Sequence, residues 1–321
     1  MLEQDTQELM VSIRCLVYNH ELYLRQCLDG FVMQQTNFRF EAIVHDDAST
    51  DGSAAIIREY AAKYPDIIKP IYETENQYSK RDGSLRRIMN AHTHGKYVAM
   101  CEGDDYWTDP MKLQKQVDFL ESHPEYVVCS HRFKIYNQNK QQMGDDWHDK
   151  VTEDITYDLN SLIHGNWYHT PVTVVYQYGA LCLEEYMQYK NSKDATLFFY
   201  LLKKGKGYMM AEQMAVYREH AGGIWSGVSY YKRLHADFIN RLGIYEVDQS
   251  DDAACFLQNI FTRKMSRKWM LQEWRLMLKS FRIISKHFGV IRTVRQFLSK
   301  CILNKNLEYK INTNSLVFSF R

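Results

Sequence analysis

Three carboxylates fall within four residues in the turn Glu102-Gly103-Asp104-Asp105, and a second acidic pair, Asp46-Asp47, closes an apolar run earlier in the chain. Carboxylates this crowded repel one another, and a divalent cation relieves the repulsion; their hard oxygens suit Mg2+ or Mn2+. Mg2+ is commonly held by one or two carboxylates together with phosphate oxygens, so the expected ligand is a diphosphate. Asp47 can accept a hydrogen bond from the imide N–H of a uracil, and Tyr18 offers a ring face on which a base can stack. A plainer reading stands beside each cluster. An acidic turn caps the helix that follows it, and Asp46, Asp47 and Asp51-Gly52 are residue types that cap helices and form turns.

The pattern between the clusters decides how they are placed. Residues 11–17 form a β-branched apolar run that stops at Tyr18-Asn19-His20, after which Leu24, Leu28 and Phe31 recur at helical spacing. Residues 40–44 repeat the strand, and 53–63 the helix. A strand over 67–72, a helix over 84–94 and a strand over 97–101 follow. Strands alternating with helices predict an α/β fold with a mostly parallel sheet and right-handed crossovers. Ligands bind such sheets at the carboxyl ends of the strands, and Tyr18, Asn19, Asp46, Asp47, Asp104 and Asp105 all fall just past a predicted strand end. Further on, 111–122 reads as a helix stopped by His123-Pro124, 126–133 and 171–178 as strands, 137–154 as a long polar mobile loop, and 195–204 as a helix running into Gly205-Lys206-Gly207.

From Tyr230 the pattern is helical. Met270, Trp274, Met277, Phe281, Ile284 and Phe288 step by three or four, with Lys268, Arg275, Lys279, Arg282 and Lys286 between them, the mark of a basic amphipathic helix. Formal net charge is +1, but residues 262–321 hold fourteen Lys or Arg against Glu273 and Glu308, a surplus of twelve that leaves the remainder at minus eleven. A basic tail on an acidic body points to an anionic partner for the tail, and one distinct from the body's substrate. The expected division is therefore a catalytic domain over 1–228 and a basic helical region over 229–321, for contact with an anionic membrane surface or a second copy. Nucleic acid fits the charge but lacks a motif to position it.

Composition excludes several classes. With 45% hydrophobic and 25% charged residues the chain has material for a packed core, so disordered, collagen-like and coiled-coil architectures are set aside. The first ten residues carry Glu3, Asp5 and Glu8 with no apolar stretch, and no run approaches the length of a membrane span, so a cytoplasmic protein, at most peripheral to the inner membrane, is expected. Seven scattered cysteines without a C-x-x-C pair indicate core thiols rather than a zinc cage or disulfide framework.

Taken in order, Val11-Ser12-Ile13 with Tyr18-Asn19, then 44–52 (Val-His-Asp-Asp-Ala-Ser-Thr-Asp-Gly), then Glu102-Gly103-Asp104-Asp105-Tyr106-Trp107 resemble the family 2 glycosyltransferases of the GT-A fold, over about residues 11–226. The resemblance implies an inverting enzyme of hexosyltransferase type that moves a sugar from a nucleoside diphosphate, with UDP expected, to an acceptor hydroxyl. It places Tyr18, Asn19 and Asp47 at the base and ribose, with Asp46 close by. Glu102 stands where the family's D-x-D signature has its first Asp, a departure that moves the metal assignment to Asp104 and Asp105, with Asp105 the more direct ligand, while Glu102 bonds the ribose or the metal. Arg86 or Arg87, upstream of Gly95, is expected at the nucleotide.

The family also places an acidic general base at the head of a helix, which Lys193-Asp194-Ala195-Thr196-Leu197-Phe198 with Gly207-Tyr208 resembles, making Asp194 the base. Lys193 beside it acts to lower its pKa. The segment 217–220 (Tyr-Arg-Glu-His) resembles a stretch whose His closes over diphosphate or metal, which assigns His220. His92 and His94 are read as structural or surface residues. Around 166–170 (Asn-Trp-Tyr-His-Thr) polar and aromatic side chains can bind an acceptor sugar. The processive members' Q-x-x-R-W segment and membrane spans are absent, so one sugar per encounter is expected, in bacterial polysaccharide or lipopolysaccharide assembly with a glycan or lipid-linked acceptor. The competing classes are a sugar-phosphate nucleotidyltransferase, which needs a glycine-rich phosphate loop that residues 11–19 lack, and a non-catalytic sugar-nucleotide-binding module, which has no use for Asp194.

Overall fold

The computed structural model describes residues 8–190, 192–223, 228–264 and 273–294. The chain packs as two compact units, Met1–Asp248 and Gln249–Arg321.

The first unit begins with two strand–helix repeats: β1 (Leu9–Val17), α1 (Leu24–Val32), β2 (Arg39–Asp46) and α2 (Ser53–Lys63). In α1 the residues Leu24, Cys27, Leu28 and Phe31 share one face at i, i+3, i+4 and i+7, and all four are buried. Each of Leu24, Leu28 and Phe31 stabilises the fold by about 1.5–3 kcal/mol through removal of its apolar surface from water. β3 (Ile68–Tyr72) follows, then the short α3 (Gln77–Lys80), α4 (Ser84–Ala91) and β4 (Tyr97–Met100). These strands pair in the order β3-β2-β1-β4, all parallel. Val11, Ile13, Ala42, Val44, Tyr97 and Ala99 form the floor of the core on which α1 and α2 lie.

Beyond β4 the sheet becomes mixed. It is built from β5 (Tyr106–Trp107), α5 (Lys112–Ser122), β6 (Tyr126–Asn137), β7 (Gln142–Asp145), β8 (Ile155–Tyr157), the short α6 (Leu159–Ile163), β9 (Val175–Gln177), the short α7 (Leu183–Tyr186), α8 (Asp194–Leu202) and β10 (Lys206–Glu219). The order continues β4-β9-β6-β10-β5, with β9 antiparallel to both neighbours and β10 parallel to β6. α8 is buried from Thr196 to Leu202, consistent with its nearly all-apolar sequence, and α9 (Tyr230–Asp248) is tied to it by a hydrogen bond from Asn240 Nδ2 to Thr196 Oγ1 at 2.7 Å. In the second unit, α10 (Asp251–Lys264) packs with α11 (Trp274–Phe288).

Two expectations change, and one strand carries no signal in the sequence. The stretch 137–154 is not one loop, because β6 runs on to Asn137 and turns back as β7 in antiparallel register, with Lys140 N–H capped by Asn137 Oδ1 at 3.0 Å. The strand expected over 171–178 survives only as β9; Pro171 has no N–H for a ladder and instead opens a single 3-10 turn, Pro171–Thr173. β10 carries no period-2 signal because register shifts near Met210 and Gln213 interrupt its alternation. Met270, Cys301 and the chain from 295 onward lie outside the described residues.

Candidate active site

Register places the three loops. Val17 pairs with Asp46 across β1 and β2, and on the other side Gly103 N–H donates to Leu16 O at 3.0 Å, so the segments after β1, β2 and β4 leave the sheet side by side. The first two loops are laced together. Asn19 sits at φ 58, a left-handed conformation that Asn tolerates. Its N–H donates to Ser49 Oγ at 2.9 Å, and its Oδ1 accepts from Thr50 N at 2.8 Å. His20 N donates to Ser53 Oγ, Glu21 N to Asp51 Oδ2 and Gly52 N to Glu21 Oε2, at 2.9–3.0 Å. Tyr18 is left 47% exposed, with its ring available to a flat ligand.

Asp46 and Asp47 are both buried. Asp46 Oδ1 accepts from Ser49 N at 3.3 Å, closing the turn. Asp47 spans the head of α3, its two oxygens accepting from Gln77 N at 2.6 Å and Tyr78 N at 3.0 Å. A carboxylate oxygen has two acceptor positions, so capacity for a further donor remains.

The acidic turn is held from beneath. At Gly103 a Cβ would meet His20 Nδ1 at 2.8 Å and Val17 Cγ2 at 3.0 Å, so only glycine lets the turn lie on the His20 ring. Asp104 Oδ2 lies 3.0 Å from His220 Nε2 and 3.9 Å from His20 Nε2. The Tyr23 ring packs 4.6 Å from that of His220. Asp105 points inward, and its Oδ1 accepts from Arg218 N at 2.8 Å. The Arg218 guanidinium donates to Asp104 O at 2.9 Å, Gln138 Oε1 at 2.8 Å and Gln26 Oε1 at 2.6 Å. It also lies within 4.9–5.5 Å of the rings of Tyr23, Tyr106 and Tyr136. Arg218 thus fixes the turn through backbone and side chain together. Neither His20 nor Arg218 carries a role on sequence grounds; the only signal for them is position, directly after Tyr18-Asn19 and two residues before His220.

The charges are unequal. Burial works to raise the proton affinity of Asp104, but the His220 hydrogen bond and the two imidazoles outweigh it and hold the carboxyl below its usual range. Burial, reinforced by Asp104, pushes Asp105 well above that range. Glu102 is raised well above its range by burial and by the charges of Asp104 and Asp194, which brings Asp194 into the same electrostatic neighbourhood. Asp194 itself occupies the first turn of α8, where burial raises its pKa against the opposing pull of Lys193.

Other predicted residues lie elsewhere. Arg86 stacks on the Tyr186 ring at 5.0 Å and donates to the carbonyls of Tyr186 and Met187, while Arg87 pairs with Asp82. His92 and His94 are exposed. Cys15, Cys27, Cys101 and Cys129 are free thiols in the core, whereas Cys182 is exposed. Trp167 packs edge-on to Phe198 of α8, and the exposed Trp147 donates its Nε1 hydrogen to Trp167 O at 3.3 Å.

The donor chemistry fits a divalent cation completed by phosphate oxygens. Asp104 and His220 present a carboxylate oxygen and an imidazole nitrogen 3.0 Å apart, and the repulsion that Glu102 feels from Asp104 and Asp194 is the kind a cation relieves. Among the described residues no three His, Cys, Asp or Glu side chains are arranged so that they could hold a metal ion by themselves.

Comparison with known proteins identifies the family and the fold. The glycosyl transferase family 2 profile matches residues 12–187, more than half the chain, and the chain belongs to that family. It is 36% identical over 224 residues to the uncharacterized protein Rv1520 of Mycobacterium tuberculosis, a match covering 67% of this chain and 60% of that one. The chain therefore spans about three fifths of the length of that relative. It is 29% identical to the putative teichuronic acid biosynthesis glycosyltransferase TuaG of Bacillus subtilis, covering 65% of this chain and 79% of TuaG. Among solved structures, residues 1–349 of S. aureus TarS with UDP-GlcNAc superpose with a TM-score of 0.65 at 17% identity, covering 98% of this chain and 97% of that one. A mannosyltransferase from Pyrobaculum calidifontis with GDP-Man and Mn2+ gives 0.52 at 15% identity, covering 92% and 88%. Both establish the GT-A fold.

Proposed function

We propose that the chain transfers one sugar per encounter, with inversion, from a UDP-sugar to a hydroxyl of a glycan or lipid-linked acceptor in bacterial cell-surface polysaccharide or lipopolysaccharide assembly. The observation that carries this reading is the meeting, at the carboxyl ends of β1, β2 and β4, of the Tyr18-Asn19 and Asp46-Asp47 loops with the Asp104–His220 pair. Tyr18, Asn19 and Asp47 receive the nucleoside, with Asp46 shaping their loop. Asp104 and His220 hold Mn2+ or Mg2+, with Asp105 behind them. Asp105 is the less direct ligand in this reading, because its Oδ1 is engaged by the Arg218 backbone. The ion, when bound, neutralises charge gathering on the leaving diphosphate. Glu102 faces the ribose or the metal. Arg86, occupied by Tyr186 and Met187, reaches the nucleotide only if those contacts open.

In the transfer step the acceptor oxygen forms a bond to the anomeric carbon, the bond from that carbon to the diphosphate oxygen breaks, and the hydroxyl proton passes to an Asp194 carboxylate oxygen. Burial favours this by raising the proton affinity of Asp194, and a base is most effective when its pKa lies nearer the working pH. TarS and the mannosyltransferase, solved in complex with UDP-GlcNAc and with GDP-Man and Mn2+, support a nucleotide-sugar donor and a divalent ion.

The test is Asp194→Asn. Loss of UDP release by about 10²–10⁴-fold is expected, the usual share of general-base catalysis, while UDP with Mn2+ still protects the variant against thermal unfolding. Undiminished transfer by the variant removes Asp194 from the mechanism, and a wild type that UDP with Mn2+ fails to protect removes the donor assignment.

A further inference from the structure

We infer that α11 lies on an anionic membrane surface, with its exposed side toward the lipid. Its opposite side is committed to the protein. Ser280 and Ile284 are buried, and His287 Nδ1 lies 2.6 Å from Asp251 Oδ1 of α10. The exposed side carries Arg275, Arg282 and Lys286, spaced by seven and four residues and therefore aligned in one stripe, with Lys279 on the same side. Beside the stripe, one helical turn apart, Trp274 and Leu278 are 52% and 46% exposed. After Gly289 breaks the helix, Val290 and Ile291 are 59% and 73% exposed. From Trp274 to Val294 there is no Asp or Glu.

Two features identify the occupant. A row of cations without an intervening acid attracts anionic head groups, and the adjoining Trp, Leu, Val and Ile give that attraction an apolar component which head groups backed by acyl chains satisfy. Tryptophan at the rim suits the head-group level, where its ring is half apolar. A second copy would set stripe against stripe, and a nucleic acid would engage the cations while leaving Leu278, Val290 and Ile291 in water. No helix among the described residues is long and apolar enough to cross a membrane, so contact is in the plane of the surface.

This deepens the lipid-linked-acceptor part of the proposed function without depending on the chemistry at Asp194, and the two are read out separately. The full chain is sedimented with vesicles of phosphatidylcholine containing phosphatidylglycerol, and with phosphatidylcholine alone. Binding to the first and not the second is expected, decreasing with salt. Replacing Arg275, Arg282 and Lys286 together by Gln lowers partitioning about 100-fold, from about 1 kcal/mol per cation near the surface. Trp274→Ala lowers it several-fold, and circular dichroism melts show that the variants remain folded. Equal sedimentation of wild type and triple variant overturns the inference. So does the absence of binding at low salt, or a DNA duplex that binds more tightly than the vesicles.

Discussion

Lys112 offers a measurement that turns on sign rather than size. Its side chain is fully buried at the start of α5, with Nζ 2.7 Å from Gln116 Oε1 and 4.0 Å from the centre of the Trp107 ring. Burial lowers its pKa from 10.5 to about 7, a displacement equivalent to about 5 kcal/mol in favour of the neutral amine. The unfolded chain binds the proton more tightly than the folded one between about pH 7 and 10.5, so Lys112 makes stability rise with pH across that window and imposes its full cost below it.

Lys112→Met removes this dependence and also orphans the buried Gln116 Oε1, a loss of about 1–3 kcal/mol that does not vary with pH. The substitution is therefore expected to be stabilising by about 2–4 kcal/mol near pH 6, and destabilising by about 1–3 kcal/mol above pH 10. Urea unfolding of both proteins at a series of pH values measures the difference directly, with other titrating groups common to both curves. A difference that stays flat across the range refutes the reasoning, because it means the buried amine keeps its ordinary proton affinity.

Three further substitutions probe the site. Gly103→Ala drives a methyl group into the His20 ring and is expected to cost about 1–3 kcal/mol of stability and to weaken Mn2+ uptake in the presence of UDP; calorimetry showing wild-type affinity contradicts the role given to the turn. Arg218→Lys keeps the charge but cannot reach Asp104 O, Gln138 and Gln26 at once; a loss of about 2–4 kcal/mol is expected from hydrogen bonds that involve a charged group, and unchanged denaturation midpoints argue against the clamp. Asn19→Ala gives up the bond to Thr50 N and puts at φ 58 a side chain without the polar group that lets asparagine tolerate the left-handed region; destabilisation by about 1–2 kcal/mol with weaker UDP binding is expected, and an unaltered melt shows that the two loops do not depend on it.

The parallel half of the sheet and the identity of its loops were legible in sequence because each strand and helix there satisfies a local period. α2 falls at the predicted residues, and the loops bearing Tyr18, Asp47 and Asp104 emerge from adjacent strands as the alternation implies. The inward turn of Asp105 was not legible, since its partner is the backbone of Arg218, which only the pairing of β5 with β10 brings near. β10 was hidden for a related reason: bulges at Met210 and Gln213 remove the alternation by which a strand is recognised. The environment of Arg86 likewise depends on Tyr186, one hundred positions away.

The lacing of residues 18–21 to 49–53 has a consequence for recognition. Ordering a residue costs about 1–2 kcal/mol of conformational entropy, and for this wall of the cleft that cost is met when the chain folds rather than when a donor arrives. If Tyr18 and Asp47 receive the nucleoside as proposed, discrimination between bases on that side is a matter of fixed shape, and an ill-fitting base finds a rigid wall instead of one that adjusts to receive it.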